Sequence, residues 1–164
     1  MAEVRVGDQV PDVTLVSWDL QAVRLSSLLG QPLVLAFFPA AFTPICTREM
    51  CTFRDRLSAF EAPGARVVGI SVDGPFALKA FAEQQGLNFL LLSDFNRETV
   101  RAFGIEDNGL MGGLLRGVAK RAVFVVDANG VVVYRWVSND PRVEPDYEAV
   151  QQAVEGLRTM NLSG

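Results

Sequence analysis

The chain has no histidine. That absence removes Cys-His and Ser-His dyads, because no imidazole is present to act as the base for a thiol or hydroxyl. It also removes every His-based metal site, and two cysteines alone cannot supply the four thiolates of a structural zinc. No metal and no cofactor is expected. The two cysteines, Cys46 and Cys51, are not spaced as Cys-x-x-Cys. Basic residues are outnumbered, 15 against 19 acidic, which leaves a net charge of −4 and no cationic footprint for nucleic acid. No apolar run reaches the roughly 18 residues needed to span a bilayer. Residues 1–8 lack the apolar core of a signal peptide. With so few cysteines and no export signal, the expected compartment is the reducing cytoplasm. There a cysteine pair is more often catalytic or redox-sensing than a structural staple.

What is present is a globular composition. Hydrophobic residues make up 49% and charged residues 21% of 164 positions, which predicts a single domain over 1–164 with ample room for a core. The chain is organised around residues 39–51. Before them, residues 32–38 form an unbroken apolar run bounded by prolines, read as a strand buried on both faces. After them, Cys46, Met50, Phe53, Leu57 and Phe60 recur at steps of four and three, the apolar stripe of a helix. Thr43 stands at the N-cap of that helix and Pro44 at its first position, where the missing N–H costs nothing. Cys46 then falls in the first turn, among free backbone N–H groups and the positive end of the helix dipole. That setting favours the thiolate, the nucleophilic form of cysteine. The plainer alternative is a buried cysteine used as a small hydrophobe.

Further along, residues 13–16 and 22–25 flank Asp19-Leu20-Gln21 and predict a small hairpin, with Trp18 as a packing or turn residue. Residues 26–30 predict one helical turn ended by Gly30. Pro63-Gly64 separates the Cys46 helix from a second buried strand over 66–72. Residues 75–85 predict a helix begun at Asp73-Gly74 and stopped at Gly86. A short strand over 89–92 and a helix over 96–103, closed by Gly104, follow. Residues 120–127 and 131–136 read as strands joined by the tight turn Ala128-Asn129-Gly130. An amphipathic helix over 145–157 comes last. Strands alternating with helices point to parallel pairing in an α/β sheet. The glycine-rich stretch 107–117 is a loop whose Leu110, Met111, Leu114 and Leu115 meet something apolar, either their own domain or another copy.

The spacing Pro39-x-x-x-Thr43-x-x-Cys46 resembles the active-site motif of the peroxiredoxins. The resemblance extends to Phe37-Phe38-Pro39, Thr43-Pro44, Cys46-Thr47-x-Glu49, Gly69-Ile70-Ser71-Val72-Asp73 and Leu91-Leu92-Ser93-Asp94. It covers the chain from about Gly7 to the last helix. The order of elements resembles a thioredoxin-like α/β fold with an N-terminal β-hairpin extension, of the peroxiredoxin type. It is distinct from thioredoxin itself, since Lys120-Arg121-Ala122 carries no proline. Cys51, five residues after Cys46, resembles the resolving cysteine of the bacterioferritin-comigratory, or Q-type, branch.

The resemblance implies a thiol-dependent peroxidase. Cys46 would be its nucleophile, Thr43 and Arg121 the donors to sulfur and peroxide, and Pro39 the shield of the pocket. Glu49 would orient Arg121 through a bidentate pair. Each has a plainer reading: Thr43 as a cap alone, Arg121 as a surface charge at a strand end, Glu49 as an acid favourable to a helix N-terminus. The expected partners are a peroxide and a thioredoxin-like thiol reductant, with the protein a monomer or homodimer. The alternatives are a one-cysteine peroxidase using an external thiol, a thiol-disulfide oxidoreductase without peroxidase chemistry, and a redox-responsive interaction module. Geometry adds one condition. On an ideal helix Cys51 stands about 7.5 Å above Cys46 and is turned by about 140°. Their Cα atoms are then roughly 8.6 Å apart, beyond the limit of about 7 Å for a disulfide. A Cys46–Cys51 bond therefore requires the helix to unwind.

Overall fold

The computed structural model describes residues 3–61 and 64–163, with side chains through Leu157. Met1 and Ala2 of the N-terminal segment and Pro63 of the expected turn lie outside the described residues. The predicted hairpin forms between β1 (Thr14–Val16) and β2 (Ala22–Arg24), with Leu15 opposite Val23. A 3-10 turn at Leu25–Leu28 leads into β3 (Leu33–Phe37), every residue of which is buried. The strand's alternation divides it between two cores. Leu33, Leu35 and Phe37 point into one, and Val34, Ala36 and the following Phe38 into the other. A strand enclosed on both faces must be apolar throughout, which is why the run 32–38 has no polar interruption.

The long apolar stripe is two helices, not one. α1 (Pro44–Asp55) ends at Arg56, whose φ of −106° leaves helical space, and α2 (Leu57–Glu61) resumes one residue later. Cys46, Met50, Phe53 and Phe60 are enclosed in one core, with half-buried Leu57 against its edge. β4 (Arg66–Ser71) follows, then α3 (Pro75–Gln85), stopped as predicted by Gly86 in a left-handed conformation at φ 61°. Gly69 sits in tight packing: a Cβ there would meet Leu91 Cδ2 at 2.5 Å and Met50 Sδ at 3.3 Å, so any larger residue would require these two buried side chains to shift.

After β5 (Leu90–Ser93), α4 (Glu98–Ala102) is shorter than the predicted 96–103. Arg97 adopts φ 63°, and the buried Asp94 carboxylate accepts the first amides of the helix, Thr99 N and Val100 N, at 2.9 Å each. The stretch 107–117 is framed by β6 (Glu106–Asp107) and β7 (Val118–Ala119), which pair with each other. β8 (Ala122–Val126) and β9 (Val132–Val137) form the second hairpin. α5 (Tyr147–Ser163) starts at Tyr147 rather than 145 and runs beyond 157.

The main sheet has seven strands in the order β2-β1-β5-β4-β3-β8-β9. β3, β4 and β5 are parallel, as the alternation of strands and helices predicts, while β1 and β8 run antiparallel to their neighbours. α1, α2, α3 and α5 contribute to the core on one face of β3, and the other core takes in Val100 and Phe103 around α4. Because the parallel strands all end on one edge, β3 delivers α1 there and β4 delivers the turn into α3 beside it. Crevices at such carboxyl ends are where α/β sheets place their chemistry. Among the described residues no helix is long and apolar enough to cross a membrane, and no group of three or more His, Cys, Asp or Glu could hold a metal ion.

Candidate active site

Cys46 lies in the first turn of α1, as the motif places it, and is 1% exposed. It forms part of the lining of a depression of about 490 Å³. Pro39, Ala40, Pro44 and Ile45 wall one side, and Leu110, Met111 and Leu115 of the glycine-rich loop face them. The loop therefore packs toward its own domain's pocket, although Met111 and Leu114 remain largely exposed.

Arg121, 75 residues further on, comes to the same place. It stands immediately before β8 rather than inside a strand, and it is 2% exposed, which excludes the reading as a surface charge. Its Nη2 donates to Cys46 Sγ at 3.2 Å, its Nη1 to Glu49 Oε1 at 2.9 Å, and both Nε and Nη2 to the carbonyl of Pro141, at 3.2 and 2.8 Å. The guanidinium is thus held at each nitrogen, with one hydrogen bond reserved for the sulfur. Pro141 had no signal in the sequence: its contribution is a backbone oxygen, which any residue carries.

Two expectations need correction. Glu49 does not make a bidentate pair, since only Oε1 meets Arg121 while buried Oε2 has no partner among the described residues. Thr43 occupies the N-cap position, but its hydroxyl does not cap. Thr43 Oγ1 donates instead to the carbonyl of Ala40 at 2.8 Å, closing the turn 40–43 on itself. That bond uses the hydroxyl's one proton, so Thr43 donates to a peroxide only by exchanging the Ala40 carbonyl for it. The turn is tight enough that Phe42 sits at φ 68°. Cys51 is half-buried on an α1 that is helical through both cysteines, and both are free thiols. Its Sγ lies 3.5 Å from Gln85 Oε1, on the side of the helix turned away from the Cys46 pocket.

Burial pushes the Glu49 carboxyl up to about 8, against the opposing pull of Arg121, with Glu144 adding to the rise. Burial works against the Arg121 charge, but the neighbouring Glu49 and Cys46 outweigh it and hold that guanidinium above its ordinary value. The Arg121 charge persists whichever form Glu49 takes. Between Glu49 and Arg121 the carboxyl is the group that changes charge near neutral pH, because a guanidinium stays protonated there.

This sets a stability prediction. A carboxyl raised in the folded state contributes stability below its unfolded value, near 4.5, and loses it as pH rises toward about 8. Glu49→Gln keeps the shape and the acceptor for Arg121 but cannot ionise. Urea unfolding of the wild type should therefore show stability falling between about pH 5 and 8. Glu49→Gln should flatten that fall by a few kcal/mol, since a tenfold difference in proton affinity between the folded and unfolded chain is worth about 1.4 kcal/mol. Parallel profiles for the two proteins would show that Glu49 is ionised throughout.

A free cysteine with a guanidinium on its sulfur, a hydroxyl beside it and an apolar pocket above it is suited to displacement at a weak O–O bond. Such chemistry needs a thiolate and preorganised donors but no general base. The comparisons with known proteins agree. Residues 6–135 match the model of the AhpC/TSA family. A putative peroxiredoxin of Mycobacterium tuberculosis is 43% identical over 128 residues, covering 77% of this chain and 81% of that one. A chloroplastic peroxiredoxin Q of Populus jackii is 40% identical over 131 residues, covering 80% of this chain and 59% of that longer one. The crystal structure of the peroxidoxin BcpB of Mycobacterium tuberculosis superposes with a TM-score of 0.83 at 34% identity, covering 94% of this chain and 99% of that one. The sheet and hairpin described above are thus the thioredoxin-like peroxiredoxin fold, and the chain belongs to the AhpC/TSA family of peroxiredoxins, as a thiol peroxidase of the Q type.

Proposed function

We propose that the protein reduces hydrogen peroxide or an organic hydroperoxide through Cys46, resolves the product with Cys51, and is recycled by a thioredoxin-like dithiol. The observation that supports this most is the hydrogen bond from Arg121 to the Cys46 sulfur in the apolar pocket. The Cys46 thiolate attacks the terminal oxygen of the peroxide. An S–O bond forms, the O–O bond breaks, and the departing hydroxide or alkoxide leaves as water or alcohol after taking up a proton. Arg121, and the Thr43 hydroxyl once it exchanges the Ala40 carbonyl for the peroxide, stabilise the charge spread along S···O···O, and Pro39 shields the sulfur from bulk water. Cys46 is left as a sulfenic acid. The Cys51 thiol then attacks the Cys46 sulfur, the S–S bond forms, and the S–O bond breaks to release water. Two electrons from the external dithiol restore both thiols.

The intact α1 supports a conformational step between the two halves of this cycle, because neither cysteine reaches the other on a formed helix. The N-terminal half of α1 carries the contacts that must be released, Glu49 to Arg121 and the exposed Arg48–Glu144 pair at 3.4 Å. Its C-terminal end is anchored by Phe53 against Phe60 and Tyr147, and just beyond it Arg56 reaches Glu148 at 2.7 Å. Unwinding therefore starts at Pro44 and stops near Phe53.

The test is peroxide consumption over many turnovers with thioredoxin and its reductase, in wild type and in Cys51→Ser. Cys51→Ser should keep the first peroxide-consuming event, lose thioredoxin-linked turnover, and over-oxidise to the sulfinic acid more readily. Mass spectrometry of wild type after one equivalent of peroxide should find the Cys46–Cys51 bond within one chain. Normal turnover by Cys51→Ser would make the protein a one-cysteine peroxidase served by an external thiol. Reduction of protein disulfides without peroxide consumption would make it a thiol-disulfide oxidoreductase.

A further inference from the structure

The two segments 69–73 and 91–94 carry polar residues at the ends of buried strands, yet none of them enters the Cys46 pocket. They are joined to each other instead. Ser71 Oγ donates to Asp73 Oδ2 at 2.6 Å and accepts from the Asp73 amide at 3.2 Å. Ser93 Oγ donates to the Asp73 carbonyl at 2.6 Å, and the Asp94 amide donates to the Ser71 carbonyl at 2.7 Å. Ser71, Ser93 and Asp94 are buried, so the network is fixed to the ends of β4 and β5. Two contacts lead out of it: the Asp94 carboxylate holds the start of α4, and Asp73 Oδ2 accepts the backbone amide of Ala41 at 2.8 Å.

Ala41 is the midpoint of the turn 39–43. Within that turn the Thr43 hydroxyl holds the Ala40 carbonyl, and Phe42 takes a left-handed backbone with its ring against Phe81 at 5.2 Å. The turn sets where Pro39, Thr43 and the first turn of α1 lie relative to Cys46. A left-handed phenylalanine is unfavourable by itself and persists only where the surroundings hold it. Asp73 does not cap α3, the helix it precedes; Gly74 is the N-cap and no side chain bonds there. Its carboxylate serves the neighbouring turn.

We propose that Asp73 is a positioning residue for peroxide reduction: by accepting the Ala41 amide it ties the 39–43 turn to the rigid ends of β4 and β5 and so fixes where Pro39 and Thr43 wall the Cys46 pocket. The inference rests on the peroxidase reading above. Asp73 touches neither the sulfur nor Arg121. Its removal should therefore misplace the oxygen-binding side of the site while leaving the Arg121–Cys46 contact intact. Displacements of this kind, by about 1 Å, cost up to roughly 10²-fold in rate.

The experiment compares two second-order rates at Cys46 in the full chain: with hydrogen peroxide, which needs the positioned donors, and with iodoacetamide, which needs only an accessible thiolate. Asp73→Ala should lower the peroxide rate by about tenfold to 10²-fold with the iodoacetamide rate kept within about a factor of two of wild type. Asp73→Asn, which retains an acceptor for the Ala41 amide, should recover most of the peroxide rate. Should Asp73→Ala fail to fold, Asp73→Glu takes its place: the extra methylene displaces the acceptor while keeping the charge, and the same split between the two rates is expected. A wild-type peroxide rate in Asp73→Ala, an equal fall in both rates, or no recovery in Asp73→Asn would each overturn the proposal. A wild-type protein that consumes no peroxide would instead overturn the peroxidase reading, whatever the Asp73 variants do.

Discussion

Cys46→Ser should abolish peroxide turnover while the protein keeps its fold. The side chain is 1% exposed and slightly smaller after the change, so the core around Met50 and Phe53 loses little. The new hydroxyl is not stranded either, because Arg121 Nη2 still points at it. The chemistry is what fails. A serine needs a general base to become a nucleophile, and with no histidine in the chain there is none of the usual kind to serve it. Peroxide consumption with thioredoxin and its reductase should fall to background, with a melting temperature close to wild type. Residual multi-turnover activity of more than a few per cent would place the nucleophile elsewhere.

Arg121→Ala is expected to have the second largest effect. A preorganised donor aimed at developing charge is typically worth about 2.7–4 kcal/mol, or about 10²–10³ in rate. The structural cost should be smaller than the burial of this pair suggests. Breaking a buried ion pair commonly costs about 3–5 kcal/mol because a charge is left behind. Here Glu49, already pushed up by burial, takes a proton instead. The double variant Arg121→Ala/Glu49→Gln should accordingly match the single variant in stability near neutral pH and remain as slow. Arg121→Lys should recover only part of the rate, because one ammonium cannot serve Cys46, Glu49 and the Pro141 carbonyl together as the planar fork does. Wild-type kinetics in Arg121→Ala would show that the guanidinium supports the fold alone.

Local features were legible from the sequence because their causes are local. Pro44 starts α1 and Gly86 ends α3, since each residue has one backbone geometry that suits the position. The unbroken run 32–38 gave a strand enclosed on both faces, and the turn at Asn129-Gly130 gave the second hairpin. Boundaries shifted where a distant or unusual contact intervened. The left-handed Arg97 and the Asp94 carboxylate moved the start of α4, and the stripe from Cys46 to Phe60 broke at Arg56 although both halves serve one core. Periodicity reports which face is buried; it does not report whether the backbone between two buried faces stays helical.

The candidate site divides along the same line. By itself the sequence determined the nucleophile's setting: a cysteine in the first turn of a proline-capped helix at the end of a buried strand, in a chain without histidine. That much depends on neighbours within a few residues and on composition. Only the tertiary structure decided what meets the sulfur. Arg121 arrives from the residue just before β8, the Pro141 carbonyl orients it, Glu49 is shut away with a single hydrogen bond, and Asp73 holds the turn 39–43 from the next loop of the sheet. None of these follows from spacing along the chain. Parallel strands β3 and β4 bring their ends to one edge, β8 runs antiparallel beside them, and the residues that terminate each strand become neighbours through that topology alone.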